Sequence, residues 1–227
     1  MRIVVANINP AFKNLIEKLK KEHPGNVLEI NDKNQLNYQV LHDFEPDYVF
    51  FTHWSYIIKS EIYENFNCIV FHMTDLPYGR GGSPLQNLIV RGLKETKLSA
   101  IKVSRGIDEG DLYLKKSLSL EGTAREIFSR ASLLAAVMVE EIINLQLVAK
   151  PQEGEVTLFS RRKPEESDIS NLEDLNEIYD YIRMLDADGY PHAFIDLKNF
   201  RLIFTEAKLV QGKLEAKVEF TPKCQSE

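Results

Sequence analysis

Over the first 150 residues, short β-branched apolar runs alternate with stretches of helical period. Residues 2–6 (RIVVA) read as a buried strand. Leu15, Ile16 and Leu19 recur at helical spacing among lysines, which predicts an amphipathic helix over 11–22, ended by Pro24-Gly25. Val27–Ile30, Asp47–Phe51 and Cys68–His72 predict further strands, with helices over Leu36–Phe44 and Ile57–Phe66 between them. Gly81–Gly92 begins as loop and becomes helix; Leu98–Val103 and Leu112–Leu120 read as extended. Thr123, followed three residues later by Glu126, predicts a capping box opening the longest helix, whose periodicity runs to about Val148. Strands alternating with helices imply right-handed crossovers and a mostly parallel sheet flanked by helices, an α/β architecture.

The pattern changes near residue 150. Pro151, Gly154 and Pro164 punctuate the chain, and Glu165–Asp180 holds seven acids and no base. Leu172–Met184 reads as a helix, with Leu175, Ile178, Ile182 and Leu185 on one face. Ala193–Leu197, Phe200–Phe204 and Leu214–Phe220 alternate as short strands, with a Gln211-Gly212 turn before the last. Residues 1–150 are therefore expected to form one α/β domain and 151–227 a small α+β subdomain.

Composition narrows the function. The 227 residues carry 28 Lys+Arg and 34 Asp+Glu, a formal net charge of −6. An acidic chain is a poor general nucleic-acid binder, since phosphate affinity comes mainly from Lys and Arg. The longest strictly apolar run, Leu133–Val139, is far short of the ~18 residues that suggest a membrane span. The N-terminus lacks the apolar core of a signal peptide. Cys68 and Cys224 make neither a disulfide framework nor metal-ligand spacing, so reduced thiols in the cytoplasm, and no metal, are expected.

The densest chemistry follows an apolar strand: His72-Met73-Thr74-Asp75-Leu76-Pro77-Tyr78-Gly79-Arg80-Gly81-Gly82-Ser83-Pro84. In open α/β sheets, ligands bind beyond the carboxyl ends of strands. The glycines there permit positive φ or a close backbone approach. GxxxxGK[ST] and an early GxGxxG are both absent, which disfavours the common nucleotide sites. A second segment, Gly106-Ile107-Asp108-Glu109-Gly110-Asp111, read alone is a turn.

Together these two segments resemble the folate-dependent formyltransferases, whose pattern is N-x-H-x-S-L-L-P-x-x-R-G-x-x-P followed by D-x-G-D. His72, Pro77, Arg80, Gly81 and Pro84 match the first, and Asp108, Gly110 and Asp111 the second. Thr74 stands for Ser, and Val70 stands where the family has Asn. The resemblance implies a Rossmann-like fold, 10-formyltetrahydrofolate as donor cosubstrate and an amine acceptor. It implies catalytic roles for His72 and Asp108. Val carries no donor for an oxyanion, so Thr74, or Asn67 further back, is a candidate replacement. It also implies a folate site beside Trp54, Tyr56, Ile57, Ile58, Arg80, Gly81, Gly82, Gly106, Ile107 and Asp111. Tyr78, Arg161 and Arg162 are candidate acceptor contacts, the arginines because their forks suit phosphate oxygens.

The short acidic C-terminal region, with Arg161-Arg162-Lys163-Pro164-Glu165-Glu166-Ser167, resembles the sugar-modifying members. The expected acceptor is thus the amino group of a nucleotide-linked amino sugar, such as a UDP-linked 4-amino-4,6-dideoxy sugar of a pseudaminic-acid-type pathway. Neither nucleic acid nor membrane is expected as a partner. Methionyl-tRNA formyltransferase and a non-catalytic folate-binding relative are the alternatives. A homodimer is expected through the C-terminal sheet.

Overall fold

A computed structural model describes residues 1–223; Cys224 lies outside them. The chain runs β1 (Ile3–Asn7), α1 (Lys13–Glu22), β2 (Val27–Ile30), α2 (Tyr38–Phe44), β3 (Tyr48–His53), α3 (Ser60–Tyr63), β4 (Cys68–His72), β5 (Arg80–Gly81) and α4 (Pro84–Ile89). It continues with β6 (Glu95–Lys102), β7 (Leu112–Ser119), α5 (Ala124–Asn144), β8 (Leu158–Phe159), α6 (Leu175–Arg183), β9 (Ala193–Asp196), β10 (Phe200–Val210) and β11 (Lys213–Pro222).

The main sheet has the order β2-β1-β3-β4-β6-β7. The first four strands are mutually parallel, because each crossover carries a helix or loop back over a face. β6 lies antiparallel to both β4 and β7, so it alone runs against the others. Side-chain alternation divides the core. Val5, Phe50, Ile69 and Phe71 pack under α1 and α5, while Val4, Ala6, Phe51 and Cys68 pack with Leu41 of α2 and Ile62 of α3. Both faces are covered, which explains why the strands read as continuous apolar runs.

The Thr123–Glu126 capping box forms as expected. The helix stops at Asn144, short of Val148. Gln146 turns left-handed (φ 47°), and the N–H groups of Gln146 and Leu147 return to the carbonyls of Ile143 and Ile142. That is the Schellman closure usually made by glycine, here made by a residue that gives no stop signal. The helix read over Ile57–Phe66 shrinks to the single turn of α3.

Beyond residue 150 the chain first returns to the catalytic side, where β8 pairs in parallel with β5. Asp174 caps α6, and β9, β10 and β11 form an antiparallel sheet in the order β11-β10-β9. Arg183 ties α6 to the main body. Its side chain is buried and donates to Asp180 at 2.6 Å and to the carbonyls of Leu120 and Gly122. Ile182, Met184 and Leu185 join the same apolar cluster as α5. Among the described residues, no helix is long and apolar enough to cross a membrane.

Candidate active site

His72 ends β4, and period-2 alternation puts its side chain on the same face as Cys68 and Val70. The ring is 8% exposed. Nε2 lies 2.8 Å from the carbonyl of Gly79. A carbonyl only accepts, so Nε2 carries the hydrogen. Nδ1 therefore faces the other way, 3.5 Å from Oδ2 of Asp108. A proton on Nδ1 would point at that carboxylate; without one, a lone pair faces a carboxylate oxygen.

Asp108 is held in place by backbone geometry. It adopts φ 54°, a left-handed conformation uncommon for a residue with a Cβ. Its Oδ2 accepts from the N–H of Gly81 at 2.9 Å, which links the loop after β6 to the loop after β4. Gly110 follows because a Cβ there would lie 1.7 Å from the carbonyl of Lys102. At Gly81 (φ 107°) a Cβ would lie 2.4 Å from the carbonyl of Phe159. The close approach expected around Gly81 and Gly82 is therefore made by the chain's own 159–161 segment.

Neither candidate replacement for the family Asn has a spare donor aimed at the site. The Thr74 hydroxyl is fully buried and donates to Gly79's carbonyl at 3.3 Å, the oxygen that also receives His72. The Asn67 side chain accepts from the Tyr113 hydroxyl, at the opposite end of β4. Val70 packs on the apolar cluster that also seats Trp54, Ile58 and Val103.

The residues assigned to folate fall in three places. Trp54 packs edge-on to Phe51 and Tyr56, and its buried Nε1 finds no acceptor. Ile57 is 90% exposed and Ile107 72%, with Tyr56 also at the surface. Ile57 and Ile107 thus leave apolar side chains facing solvent, while the Trp54 N–H is shut away from it. Arg80 is half-buried and points its guanidinium at Gln152 (3.0 and 3.3 Å) and Glu109 (3.7 Å). Gly106 and Asp111 flank Asp108 in the loop between β6 and β7. Among the described residues no cluster of His, Cys, Asp and Glu could hold a metal ion.

A cavity of about 380 Å³ opens where β1 and β3 end. Asn9, His53, Ser83, Arg161, Lys163 and Tyr190 are among the residues lining it. Arg162 also reaches it, with its guanidinium over the Tyr181 ring and on the carbonyl of Glu166. Tyr78 instead packs edge-on against Phe159.

Sequence reasoning passed over His53 and Gln152. The sheet register advances by one extra residue at Thr52, between the pairs Ala6–Phe51 and Asn7–His53. This bulge turns His53 away from the α2/α3 face. The ring meets Phe12 and Phe128 and hydrogen-bonds the Tyr190 hydroxyl at 3.2 Å. Burial without a charged partner pushes its pKa down to about 4, and burial pushes the Tyr190 hydroxyl up to about 12. His53 ends β3 as His72 ends β4, so a histidine at a strand end is the signal the two share. Gln152 gave no signal, because one amide after a proline is ordinary loop sequence.

A mostly parallel sheet thus carries the His72–Asp108 couple at its carboxyl edge. The chain belongs to the formyltransferase family. It is 50% identical to the solved structure of "Methionyl-tRNA formyltransferase from Clostridium thermocellum", with a TM-score of 0.95, covering 98% of this chain and all of that one. Residues 164–221 match the family model described as "Methionyl-tRNA formyltransferase, C-terminal domain". A methionyl-tRNA formyltransferase of Thermodesulfovibrio yellowstonii is 26% identical over 76% of this chain and 58% of its own length. The chain spans about half to seven-tenths of the length of such curated relatives. An N-formyltransferase of Helicobacter canadensis, solved with folinic acid and dTDP-3-aminofucose, covers 99% of this chain and 100% of its own at 17% identity and TM-score 0.60. That likeness concerns the fold alone.

These findings overturn the expected nucleotide-sugar acceptor and the expected absence of a nucleic-acid partner. The expectations rested on the net charge of −6, on the short C-terminal region with the acids of Glu165–Asp180, and on the likeness of Arg161–Ser167 to sugar-modifying members. The structure shows three of those acids engaged locally. Glu166 binds the Lys163 N–H and Arg162, Asp174 caps α6, and Asp180 pairs with Arg183. A run of acids in sequence does not report the charge of the face it folds into, and the nearby cavity wall carries Arg161, Arg162 and Lys163.

Proposed function

We propose that this protein transfers a formyl group from 10-formyltetrahydrofolate to the α-amino group of methionine carried on initiator tRNA. The observation that carries the reading is the His72–Asp108 couple at the sheet's carboxyl edge, in a chain 50% identical over its length to a methionyl-tRNA formyltransferase. The donor supplies an electrophilic formyl carbon. Trp54, Tyr56, Ile57 and Ile107 are the residues that would offer the donor apolar surface. As the amine bonds to that carbon it must shed a proton, which Nδ1 of His72 takes and shares with Asp108. The same proton can then pass to the departing folate nitrogen as its bond to the formyl carbon breaks. Nε2, held on Gly79's carbonyl, fixes the ring while this happens.

The cavity beside His53 suits the aminoacylated end of the tRNA, with Arg161 and Lys163 facing its phosphates. Residues 1–150 then form the catalytic domain, and 151–227 a subdomain that completes the acceptor side. The reaction belongs in the cytoplasm, where charged initiator tRNA is found. The test is incubation with 10-formyltetrahydrofolate and methionyl initiator tRNA, with formylmethionine read by mass. His72→Ala and Asp108→Asn should each lower kcat/KM at least about 100-fold, as losing a proton-transfer group does. No formylmethionine, or a His72→Ala variant as fast as the parent, would sink the reading.

A further inference from the structure

We propose that Gln152 is the positioning residue that holds Asp108 against His72; this rests on the formyl-transfer reading above. Its amide is fully used, and it joins three separate stretches of chain. Nε2 donates to the carbonyl of Asp108 and to that of Gly110, both at 2.8 Å. Oε1 accepts from Nε and Nη2 of Arg80 at 3.3 and 3.0 Å. Arg80 belongs to the loop after β4, and Asp108 and Gly110 to the loop after β6. Gln152 itself lies on the first turn of chain beyond Lys150.

The arrangement answers a physical problem. Asp108 sits at φ 54°, a conformation of sparse population that persists only when its surroundings over-determine it. Its carboxylate has one firm anchor, the Gly81 N–H, and the His72 contact is long at 3.5 Å. The clamp on the Asp108 and Gly110 carbonyls fixes the 108–109 and 110–111 peptide units, which bracket Glu109-Gly110, and with them the direction of the Asp108 side chain. Only an amide can do this, since two carbonyls require two donors and the Arg80 guanidinium requires an acceptor. Glu at position 152 would keep the Arg80 contact, now as an ion pair, but would turn an acceptor toward both carbonyls. The charged groups around the couple are Arg80 and Glu109, 3.7 Å apart, with Asp111 further along the loop.

The experiment compares the full-length parent with Gln152→Glu and Gln152→Met. Gln152→Glu should lower kcat about 10- to 100-fold with the KM for the folate donor changed less than about threefold, the size expected when a proton-transfer group loses its alignment. In parallel, the His72 ring resonances are followed by NMR without substrate. They should move in Gln152→Met, which adds no charge, because a carboxylate that swings away changes what the ring faces. Melting temperatures of the variants identify any general loss of folding. An unchanged kcat in a folded Gln152→Glu protein would overturn the proposal. So would a loss of kcat in Gln152→Met with the His72 resonances unmoved. If the parent itself shows no formyl transfer, the functional reading fails, while the His72 resonances still decide the role of Gln152.

Discussion

Acid should destabilise this fold through His53 in a window set by that one ring. In the folded protein it stays neutral, with a pKa of about 4 against 6.5 in an open chain. A second proton would leave a buried charge, because Nδ1 has no acceptor and Nε2 has only the Tyr190 hydroxyl. Between pH 6.5 and 4 the unfolded chain therefore binds the proton and the folded chain does not. Stability from this group is complete above pH 6.5, declines as pH falls, and is gone below about 4. The full difference is on the order of 3 kcal/mol, of which about 2 kcal/mol is lost by pH 5. Carboxylates titrate nearby, so the assay is a difference. Urea unfolding is measured at pH 7.5 and 5.0 for the parent and for His53→Gln, which retains an amide for Tyr190. The parent should lose about 2 kcal/mol more than the variant over that interval. Equal losses would refute the argument that His53 is a buried, uncompensated base.

Two structural predictions are simpler. Gly81→Ala combines a strained left-handed backbone with a Cβ at 2.4 Å from the Phe159 carbonyl, so it should cost at least about 1–3 kcal/mol and separate β5 from β8. Calorimetry should show a lower Tm; an unchanged Tm would mean the 159–161 segment is free to move away. Arg183→Leu leaves Asp180 and two carbonyls without their shared donor and should cost about 3–5 kcal/mol, the penalty of breaking a buried pair. Chemical denaturation would reveal it, and a loss under about 1 kcal/mol would indicate that α6 docks by its apolar residues alone.

The elements were largely legible because each rests on local rules. Val27–Ile30 and Cys68–His72 are strands with the bounds their apolar runs suggest, and Thr123 and Glu126 mark the start of α5 by a mechanism confined to four residues. Helix ends were less legible where closure used a residue other than glycine, as at Gln146. The acceptor was misjudged because charge was summed along the chain. Arg162 and Arg183 lie just outside Glu165–Asp180 and pair with Glu166 and Asp180 four and three residues away, so a count confined to that stretch omits them.

By itself, then, the sequence determined the order of strands and helices, the family, and the two segments bearing His72 and Asp108. Apolar period and short motifs are properties of neighbouring residues, so one dimension suffices to read them. Tertiary structure alone decided which way Asp108 points, that a bulge at Thr52 swings His53 onto the α5 face, and that Gln152 binds three stretches together. Each depends on groups far apart in sequence meeting in space, as Gly81 and Asp108 do at a separation of 27 and Gln152 and Gly110 at 42. Only the closing of the sheet and its crossovers brings such groups together.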